Sequence, residues 1–300
     1  MLNNFNKIIE SAMKQKKFKI SVAVAQDEEV LVAVEAARKK GIVDAILSGD
    51  AQLIKELAQN LKIDLDNYEL MDERDIASAC KKAVKVVSQG KAQVLMKGLV
   101  DTSILLKAVL DPEMGLRSDR ILSHVAISEA TEFKRLIFLS DGGMNIAPDL
   151  KAKKDIINNA VSVARATDIL CPKVAIVCAK EKVDPKMPCT VDAQLLEEMN
   201  KNGEIQNCIV GGPFGLDNAV SEEAANHKGI HHPVAGKADI IIVPNIETGN
   251  VFFKSLVYFA RYKSAGVIMG AKAPIVLTSR ADSAETKLNS IALATLISKS

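Results

Sequence analysis

The stretch Lys272-Ala-Pro-Ile-Val-Leu-Thr-Ser-Arg-Ala-Asp-Ser-Ala-Glu-Thr286 decides the fold class of this chain. Its run Ile275–Thr278 is short and mostly β-branched, which is typical of a strand buried on both faces of a parallel sheet. Asp282-Ser-Ala-Glu285 then has the D-x-x-E form of a capping box, so a helix is expected to follow. Ser279 and Arg280 are therefore predicted to lie in a strand-to-helix turn, where α/β proteins bind anions. The alternative is a well-capped helix that carries a surface arginine.

Outward from this stretch, the chain alternates predicted strands with predicted helices. Short apolar runs predict the other strands at residues 18–25, 42–47, 93–96, 121–127, 135–139, 174–178, 208–210 and 239–243. Helical periodicity, capping residues and terminal glycines predict helices at residues 27–40, 50–60, 73–89, 102–110, 191–202, 217–226 and 251–262. This alternation is typical of βαβ units that build parallel sheets.

Composition argues against several classes of function. The 300 residues carry a net charge of +2, and they include no Trp, three Tyr and eight Phe. Interspersed charges and few aromatic rings argue against a nucleic-acid partner. No apolar run approaches the ~20 residues of a transmembrane helix, and the N-terminal sequence lacks a signal-peptide pattern, so we expect no membrane partner. The five widely spaced cysteines favour free thiols and a cytoplasmic location.

The sequence also lacks the usual signatures of nucleotide and metal sites. It has neither a G-x-G-x-x-G after a predicted strand nor a G-x-x-x-x-G-K-[ST] motif. The predicted loop Gly211-Gly-Pro-Phe-Gly215 has the wrong spacing, and its proline removes an N–H that a phosphate cradle would use. His227 and His231 stand four residues apart, but Gly229 and Pro233 indicate a loop between and after them. No two Asp residues stand four apart on a helix, so we expect no metal site.

Three predicted strand ends carry polar loops, two of which contain glycine. Asp141-Gly-Gly-Met-Asn145 follows one strand, Asn245-Ile-Glu-Thr-Gly-Asn250 follows another, and Ser279 with Arg280 follows a third. Each could be an ordinary turn, because Gly and Asn are common turn residues. Three such loops in one α/β chain favour a ligand-binding cleft. The candidate substrate-binding residues in the first two loops are Asp141, Gly142, Gly143, Asn145, Thr248, Gly249 and Asn250.

At these loops the chain resembles the phosphate acetyltransferase/phosphate butyryltransferase family, and most closely its butyryl branch. The resemblance extends over essentially all 300 residues and is carried by Ser140-Asp-Gly-Gly-Met-Asn-Ile146, His232-Pro-Val-Ala-Gly-Lys-Ala-Asp239, Pro244-Asn-Ile-Glu-Thr-Gly-Asn250 and Leu277-Thr-Ser-Arg280. It implies two α/β domains with a cleft between them, as in isopropylmalate dehydrogenase. The first domain would be discontinuous, comprising residues 1–146 and 268–300, and the second would comprise residues 147–267.

The resemblance also implies a reaction and its partners. Butanoyl-CoA and phosphate would be converted reversibly into butanoyl phosphate and CoA. Direct transfer in a ternary complex depends on positioning and needs no acyl-enzyme. No cofactor is expected, because CoA is itself a substrate or product, and no metal is needed. Family members are commonly homodimers or larger, so we expect a homo-oligomer.

Two residues of the opening stretch match the Ser-Arg pair of the family's active site. The resemblance implies that Ser279 stabilises the transition state and that Arg280 binds the anionic phosphate group. The family's catalytic Asp does not carry over, because Thr286 occupies its position here. Asp282 and Glu285 are the nearest carboxylates, and Asp282 is the candidate base for the CoA thiol. Its helix-capping role competes with that assignment.

Three alternatives stay open at the level of sequence. The enzyme could prefer acetyl groups, because the sequence does not give the acyl chain length. A dehydrogenase of the same two-domain fold would bind a metal and a nicotinamide cofactor, for which the expected motifs are missing. A non-catalytic module would bind CoA or an acyl phosphate without phosphate-dependent release of thiol.

Overall fold

The computed structural model describes residues 1–299 and divides into two compact units. The first unit comprises Phe5–Arg120 and the segment from Ala265 onward, and the second comprises Met1–Asn4 with Ile121–Ser264. Each unit contains both helices and strands. The predicted α/β fold class is therefore confirmed.

The first unit is built on a largely parallel sheet. Its strands are β1 (Phe18–Ala23), β2 (Val43–Gly49), β3 (Glu69–Asp72), β4 (Val94–Lys97), β10 (Ser264–Met269) and β11 (Ile275–Val276). They lie in the order β3-β2-β1-β4-β11-β10, and neighbours are parallel except for β11 and β10. The buried strand predicted at Ile275 is present, although one of its two neighbours runs antiparallel.

Six helices accompany this sheet in the described part of the chain. They are α1 (Phe5–Met13), α2 (Glu28–Lys39), α3 (Ala51–Asn60), α4 (Ile76–Ser88), α5 (Thr102–Val109) and α11 (Ala284–Lys299). Asp27, Asp50 and Asp75 accept backbone N–H groups at the starts of α2, α3 and α4, which satisfies donors that a helix start leaves unpaired. α11 packs against α1 and α2, and its residues 291–294 are fully buried. The C-terminal helix is thus part of the core.

The second unit contains five strands. Its strands are β5 (Ser123–Ala130), β6 (Arg135–Ser140), β7 (Lys173–Val177), β8 (Ile209–Phe214) and β9 (Ile240–Ile242). They lie in the order β5-β6-β9-β7-β8, and only β5 and β6 are an antiparallel pair. The helices are α6 (Leu150–Ala166), α7 (Pro188–Lys201), α8 (Leu216–Val220), α9 (Glu222–His227) and α10 (Ile246–Tyr258).

The division between the units falls earlier in the chain than the sequence indicates. The sequence assigns residues 121–146 to the first domain, whereas the structure groups them with the second unit. The reason is strand pairing, because β5 pairs with β6 and β6 pairs with β9. The Gly-rich loop after Ser140 therefore connects two elements of one unit, β6 and α6.

Other local features also differ from the sequence-based expectations. The sequence pattern reveals neither α1, which buries Phe5, Ile8 and Ala12, nor β3, which has no buried residue. The predicted loop at Gly211 belongs to β8, because pairing with β7 continues as far as Phe214. No helix within residues 1–299 is long and apolar enough to cross a membrane.

Candidate active site

The Ser279 turn, residues 279–282, lies between β11 and α11. The Ser279 backbone N–H donates to Asp282 Oδ2 at 2.7 Å, and the Asp282 N–H donates to the Ser279 carbonyl at 3.1 Å. The Ser279 hydroxyl accepts the Ala281 N–H at 3.4 Å. Within residues 1–299 this hydroxyl donates to no group, and Asp282 Oδ1 has no hydrogen-bond partner. A hydroxyl proton and a carboxylate oxygen are therefore available to a ligand.

Asp282 is not the helix cap that its sequence pattern predicts. α11 begins at Ala284, so Ser283 occupies the capping position, and its hydroxyl accepts a first-turn N–H at 3.3 Å. The Ala284 N–H donates to Glu29 Oε2 at 2.6 Å. The predicted capping box is wrong because the turn directs the Asp282 carboxylate to Ser279, away from the helix N–H groups.

Arg280 forms an exposed ion pair with Asp101. Its Nη2 donates to Asp101 Oδ1 at 2.7 Å, and the two side chains are 58% and 71% exposed. Asp101 stands immediately before α5 but makes no side-chain hydrogen bond to that helix, because its carboxylate binds the guanidinium. An exposed pair of this kind contributes little to stability. Arg280 keeps further N–H donors that can bind an anion.

Lys97 lies near the Ser279 turn, although sequence analysis does not select it as a site residue. It ends β4, which is the parallel neighbour of β11, and it is buried. Its ammonium donates to the carbonyl groups of Gly98 at 3.2 Å and Val100 at 3.0 Å. Burial lowers the pKa of Lys97, and the positive charges of Arg280 and Lys287 lower it further. The positive charges of Arg280 and Lys287 thus act on Lys97 at this edge of the sheet.

Lys287 reaches the same turn from α11. The side chain of a helical residue leans toward the helix N-terminus, and Lys287 Nζ donates to the carbonyl groups of Ser279 and Asp282. The residue is buried although it is a lysine. The backbone of the Ser279 turn is therefore held from both sides, by Asp282 at its N–H and by Lys287 at its carbonyl.

The Asp141 turn, residues 141–145, follows β6 in the second unit and is organised by one buried carboxylate. Asp141 Oδ1 accepts the N–H groups of Gly143 at 2.8 Å and Met144 at 3.0 Å. Its Oδ2 accepts the Asn145 N–H at 3.2 Å and the Asn145 side-chain amide at 2.6 Å. That amide also donates to the Leu122 carbonyl at 2.9 Å. Both oxygens of Asp141 are used within the protein, so its role is to shape the loop.

The glycines of this region allow two backbones to touch. A Cβ on Gly142 would lie 2.8 Å from the carbonyl carbon of Gly249, and a Cβ on Gly249 would lie 2.7 Å from the Asp141 carbonyl oxygen. A Cβ on Gly143 would lie 3.2 Å from the His124 Cβ. The side-chain amide of Asn250 donates to the Gly142 carbonyl at 3.3 Å. Because these glycines have no side chains, the backbone of the Asp141 turn can contact the backbone at the start of α10.

The second predicted loop is shorter than its sequence indicates. α10 begins at Ile246, so Thr248, Gly249 and Asn250 are helical residues and not part of an exit loop. Asn245 caps the helix and accepts both the Thr248 N–H at 3.0 Å and the Thr248 hydroxyl at 2.6 Å. The expectation of a loop is wrong because an Asn cap directly after the buried strand starts the helix early.

The predicted site residues fall into two clusters. Ser279, Arg280 and Asp282 share the Ser279 turn in the first unit, and the seven predicted substrate-binding residues share the Asp141 turn and the first turns of α10 in the second. The sequence analysis missed Lys97 and Lys287 as members of the first cluster. A Lys-Gly pair at the end of a buried strand is the signal that could have found Lys97. No comparable signal exists for Lys287, because its burial depends on tertiary packing.

Comparison with known proteins gives a consistent result along the chain. The family model described as phosphate acetyl/butaryl transferase matches residues 4–82 and 73–295. A phosphate butyryltransferase of Clostridium acetobutylicum is 52% identical over 297 residues, which is 99% of each chain. A phosphate acetyltransferase of Thermotoga maritima is 45% identical over 287 residues, covering 96% of this chain and 97% of that protein.

Solved structures agree with the fold. A branched-chain phosphotransacylase from Enterococcus faecalis matches with a TM-score of 0.82 and 36% identity, covering 94% of this chain and 99% of that one. A 4-hydroxythreonine-4-phosphate dehydrogenase from Burkholderia phymatum matches with a TM-score of 0.56 and 12% identity, covering 94% of this chain and 99% of that one. The second likeness concerns the fold alone, and it confirms the predicted dehydrogenase-like α/β architecture.

Proposed function

Because this chain belongs to the phosphate acetyl/butyryl transferase family, we propose that it is a phosphate butyryltransferase. It converts butanoyl-CoA and phosphate reversibly into butanoyl phosphate and CoA. Full-length identity of 52% to a phosphate butyryltransferase supports this reaction. The observation in the site that carries it is the Ser279 turn, where a hydroxyl proton, a guanidinium and a carboxylate oxygen stand together at the end of a buried strand.

We propose direct transfer between the two substrates in a ternary complex. A phosphate oxygen attacks the thioester carbonyl, a tetrahedral oxyanion forms, and the C–S bond then breaks to release CoA. Ser279 donates its hydroxyl proton as a hydrogen bond to the oxyanion, which stabilises the charge that develops in the transition state. Arg280 holds phosphate oxygens with its planar fork of donors. Binding both substrates together supplies the positioning that an acyl-enzyme would otherwise provide.

Asp282 is the proposed acid–base group for the thiol of CoA. In the direction of butanoyl-CoA synthesis, its free oxygen takes the thiol proton as the sulfur attacks butanoyl phosphate, the C–O bond to phosphate breaks, and the proton passes to the departing phosphate. In the opposite direction the proton of the attacking phosphate passes through Asp282 to the leaving sulfur. The hydrogen bond from the Ser279 N–H to the other oxygen fixes the carboxylate in place. Glu285 is the alternative carboxylate on the same segment.

The residues of the Asp141 turn and of the first turns of α10 are proposed to bind substrate. Their position after β6 and β9 supports this role, because α/β sheets bind ligands beyond the carboxyl ends of their strands. Gly142 and Gly249 let the two backbones pack against each other, which places the two segments side by side. We propose that neither a metal nor a cofactor takes part, so a chelator should leave activity unchanged.

We further propose a homodimer or larger assembly in the cytoplasm. Of the residues of α10 only Gly249 is buried, and Val251, Tyr258 and the adjoining Phe259 are 70%, 50% and 88% exposed. A second copy of the chain would remove this apolar face from water. The mass in solution, measured by light scattering, tests the assembly. The five free cysteines, three of them buried, support a reducing compartment.

One assay tests the reaction. Purified protein is given acyl-CoAs of two to six carbons with and without phosphate, and release of the CoA thiol is followed. Release from butanoyl-CoA should require phosphate and should exceed release from acetyl-CoA. A faster reaction with acetyl-CoA would indicate a preference for acetyl groups, as in the name of the 45% identical phosphate acetyltransferase. Folded protein without any phosphate-dependent release would contradict the proposed function.

A further inference from the structure

Two buried lysines beside the Ser279 turn have no carboxylate partner among residues 1–299. Lys97 is 6% exposed and Lys287 is 3% exposed. Each ammonium donates to two backbone carbonyl groups, and an ammonium carries three donors. Within residues 1–299, neither ammonium lies within 4.0 Å of a carboxylate oxygen. Each lysine therefore keeps one donor, and no carboxylate among the described residues contacts it.

The nearby carboxylates are committed elsewhere. Asp27 and Asp101 are the two acidic groups that act on the charge of Lys97. Asp27 Oδ1 accepts the Val30 N–H at 2.9 Å as the cap of α2, and Asp101 binds Arg280. The same environment contains the positive charges of Arg280 and Lys287. Asp282 and Glu29 accept the N–H groups of Ser279 and Ala284, so each of these four carboxylates has another partner.

A third buried lysine in the same protein shows the usual arrangement. Lys153 is 4% exposed, and its Nζ lies 2.6 Å from Asp192 Oδ2. Lysines are almost never fully buried unless they are paired, because an unpaired buried charge is strongly unfavourable. Lys153 follows that rule and the two lysines at the Ser279 turn do not. An anion from outside the described residues would supply the partner that these two lysines lack.

Strand register and helix direction bring both lysines to one place. β4 and β11 are parallel with Met96 opposite Val276, so Lys97 lies at the exit of β11. Lys287 reaches back along α11 to the carbonyl groups of the turn. Arg280 belongs to the turn itself. Three cations near one strand end provide charge and N–H donors of the kind that bind a doubly charged phosphoryl group.

We propose, on the basis of the proposed function, that Lys97 and Lys287 bind the phosphoryl group of phosphate and of the acyl phosphate together with Arg280. The anion supplies the negative charge that the two ammoniums lack. Two sources of phosphoryl groups exist in this reaction, phosphate itself and the phosphates of CoA. The neighbouring Ser279 and Arg280 favour phosphate, because the acyl group is transferred to it there.

The test uses Lys97→Met and Lys287→Met, with Lys153→Met as the matched control. Thermal unfolding is measured with and without inorganic phosphate, because a ligand that binds the folded state raises its midpoint. Without phosphate, the two site variants should unfold at or above the parental midpoint, since an unpaired buried charge has been removed. Their phosphate-induced rise should be largely lost. Lys153→Met should show the reverse, a lower midpoint with the phosphate-induced rise retained, because Asp192 loses its partner.

Kinetics separate the two sources of phosphoryl groups. The KM for phosphate should rise about tenfold or more in each site variant, as expected for loss of a charge-assisted hydrogen bond. The KM for butanoyl-CoA should stay within about twofold of the parental value. A rise in the KM for CoA substrates alone would overturn the assignment. The assignment would also be overturned if both variants bound phosphate as the parent does. It would likewise be overturned if the unfolding midpoint of the variants lay below that of the parent by the same amount with and without phosphate.

Failure of this inference is distinguishable from failure of the proposed function. If the parent releases CoA in a phosphate-dependent manner but the variants retain the parental KM for phosphate, only the lysine assignment fails. If the parent has no activity, the proposed function fails, and the unfolding measurements with phosphate still decide whether the lysines bind it. Should a Met variant not fold, Lys97→Gln and Lys287→Gln keep a hydrogen-bond donor without the charge and are measured in the same way.

Discussion

The Asp141 turn and the Ser279 turn both follow a buried strand, yet they use their charged groups in opposite ways. Both carboxylate oxygens of Asp141 are satisfied by four N–H donors within five residues. At the Ser279 turn, one oxygen of Asp282, the Ser279 proton and donors of Arg280 remain available. A carboxylate whose oxygens are all hydrogen-bonded within the protein shapes a loop. Polar groups at a strand end that lack a hydrogen-bond partner indicate a place for a ligand. This difference supports the proposal that the chemistry takes place at the Ser279 turn, and it indicates that Asp141 shapes its loop.

The largest expected effect comes from removing the charge of Asp282 without disturbing the turn. Asp282→Asn keeps an oxygen that accepts the Ser279 N–H but cannot take the thiol proton. Turnover should fall by roughly 10²–10⁴, as for loss of a general base, while the unfolding midpoint stays parental. If Asn supports parental turnover and Ala does not, Asp282 only holds the turn, and Glu285→Gln becomes the next variant to assay.

Ser279→Ala is expected to have the next largest effect. Loss of one oxyanion donor should lower turnover by on the order of 10²–10³, with little change in either KM, because the hydrogen bond forms in the transition state. Ser283→Ala is the matched control. It removes the cap of α11 and should cost about 0.5–2 kcal/mol of stability while turnover is retained. Equal losses of turnover in the two variants would mean that the turn is sensitive to any change and that Ser279 has no special role.

Arg280→Lys is expected to have a moderate effect. A lysine keeps the charge but cannot hold two phosphate oxygens with a planar fork. The KM for phosphate should rise about tenfold and turnover should also fall. Arg74→Lys is the control, because Arg74 is an exposed arginine whose Nε lies 3.7 Å from Asp50. Parental phosphate kinetics in Arg280→Lys would make Arg280 a surface residue beside a helix, and the phosphate site would then be sought at Asn250 or Asp141.

The smallest effect on catalysis is expected for a change at the Asp141 turn, whose carboxylate is fully hydrogen-bonded within the protein. In Gly249→Ala the new Cβ would lie 2.7 Å from the Asp141 carbonyl oxygen, so the turn and α10 must separate. We expect a loss of about 1–3 kcal/mol in the free energy of unfolding, as for overpacking elsewhere. Denaturant unfolding measures this loss. A variant as stable as the parent would show that the contact between the two backbones is loose and that Asp141 does not depend on it.

Sequence reasoning predicted the two turns because local patterns mark them. A short apolar run followed by polar residues and a helix predicted the Ser279 turn, and Gly-rich strand ends predicted the Asp141 turn. The start of α11 was misplaced by one residue, because Asp282 and Ser283 are both capping residues and only the turn decides between them. Residues 121–146 were assigned to the other domain, since strand pairing with β9 is a non-local contact.

The cations beside the Ser279 turn lie beyond what local patterns reveal. Lys97 and Lys287 are 190 positions apart in sequence. Only a Lys-Gly pair after a buried strand marks Lys97, and nothing near Lys287 distinguishes it from an exposed lysine. Their burial follows from the parallel pairing of β4 with β11 and from the packing of α11 into the core. A cluster of buried cations of this kind forms only when the fold brings together elements that are distant in sequence.

A crystal structure of the enzyme grown with saturating phosphate tests the difference between the two turns most directly. We predict a phosphate ion at the Ser279 turn, with oxygens about 3 Å from the guanidinium of Arg280 and from the ammonium groups of Lys97 and Lys287. The Asp141 carboxylate should keep its four hydrogen bonds. A phosphate ion bound at the Asp141 turn, with none beside Arg280, would contradict the assignment of the chemistry to Ser279.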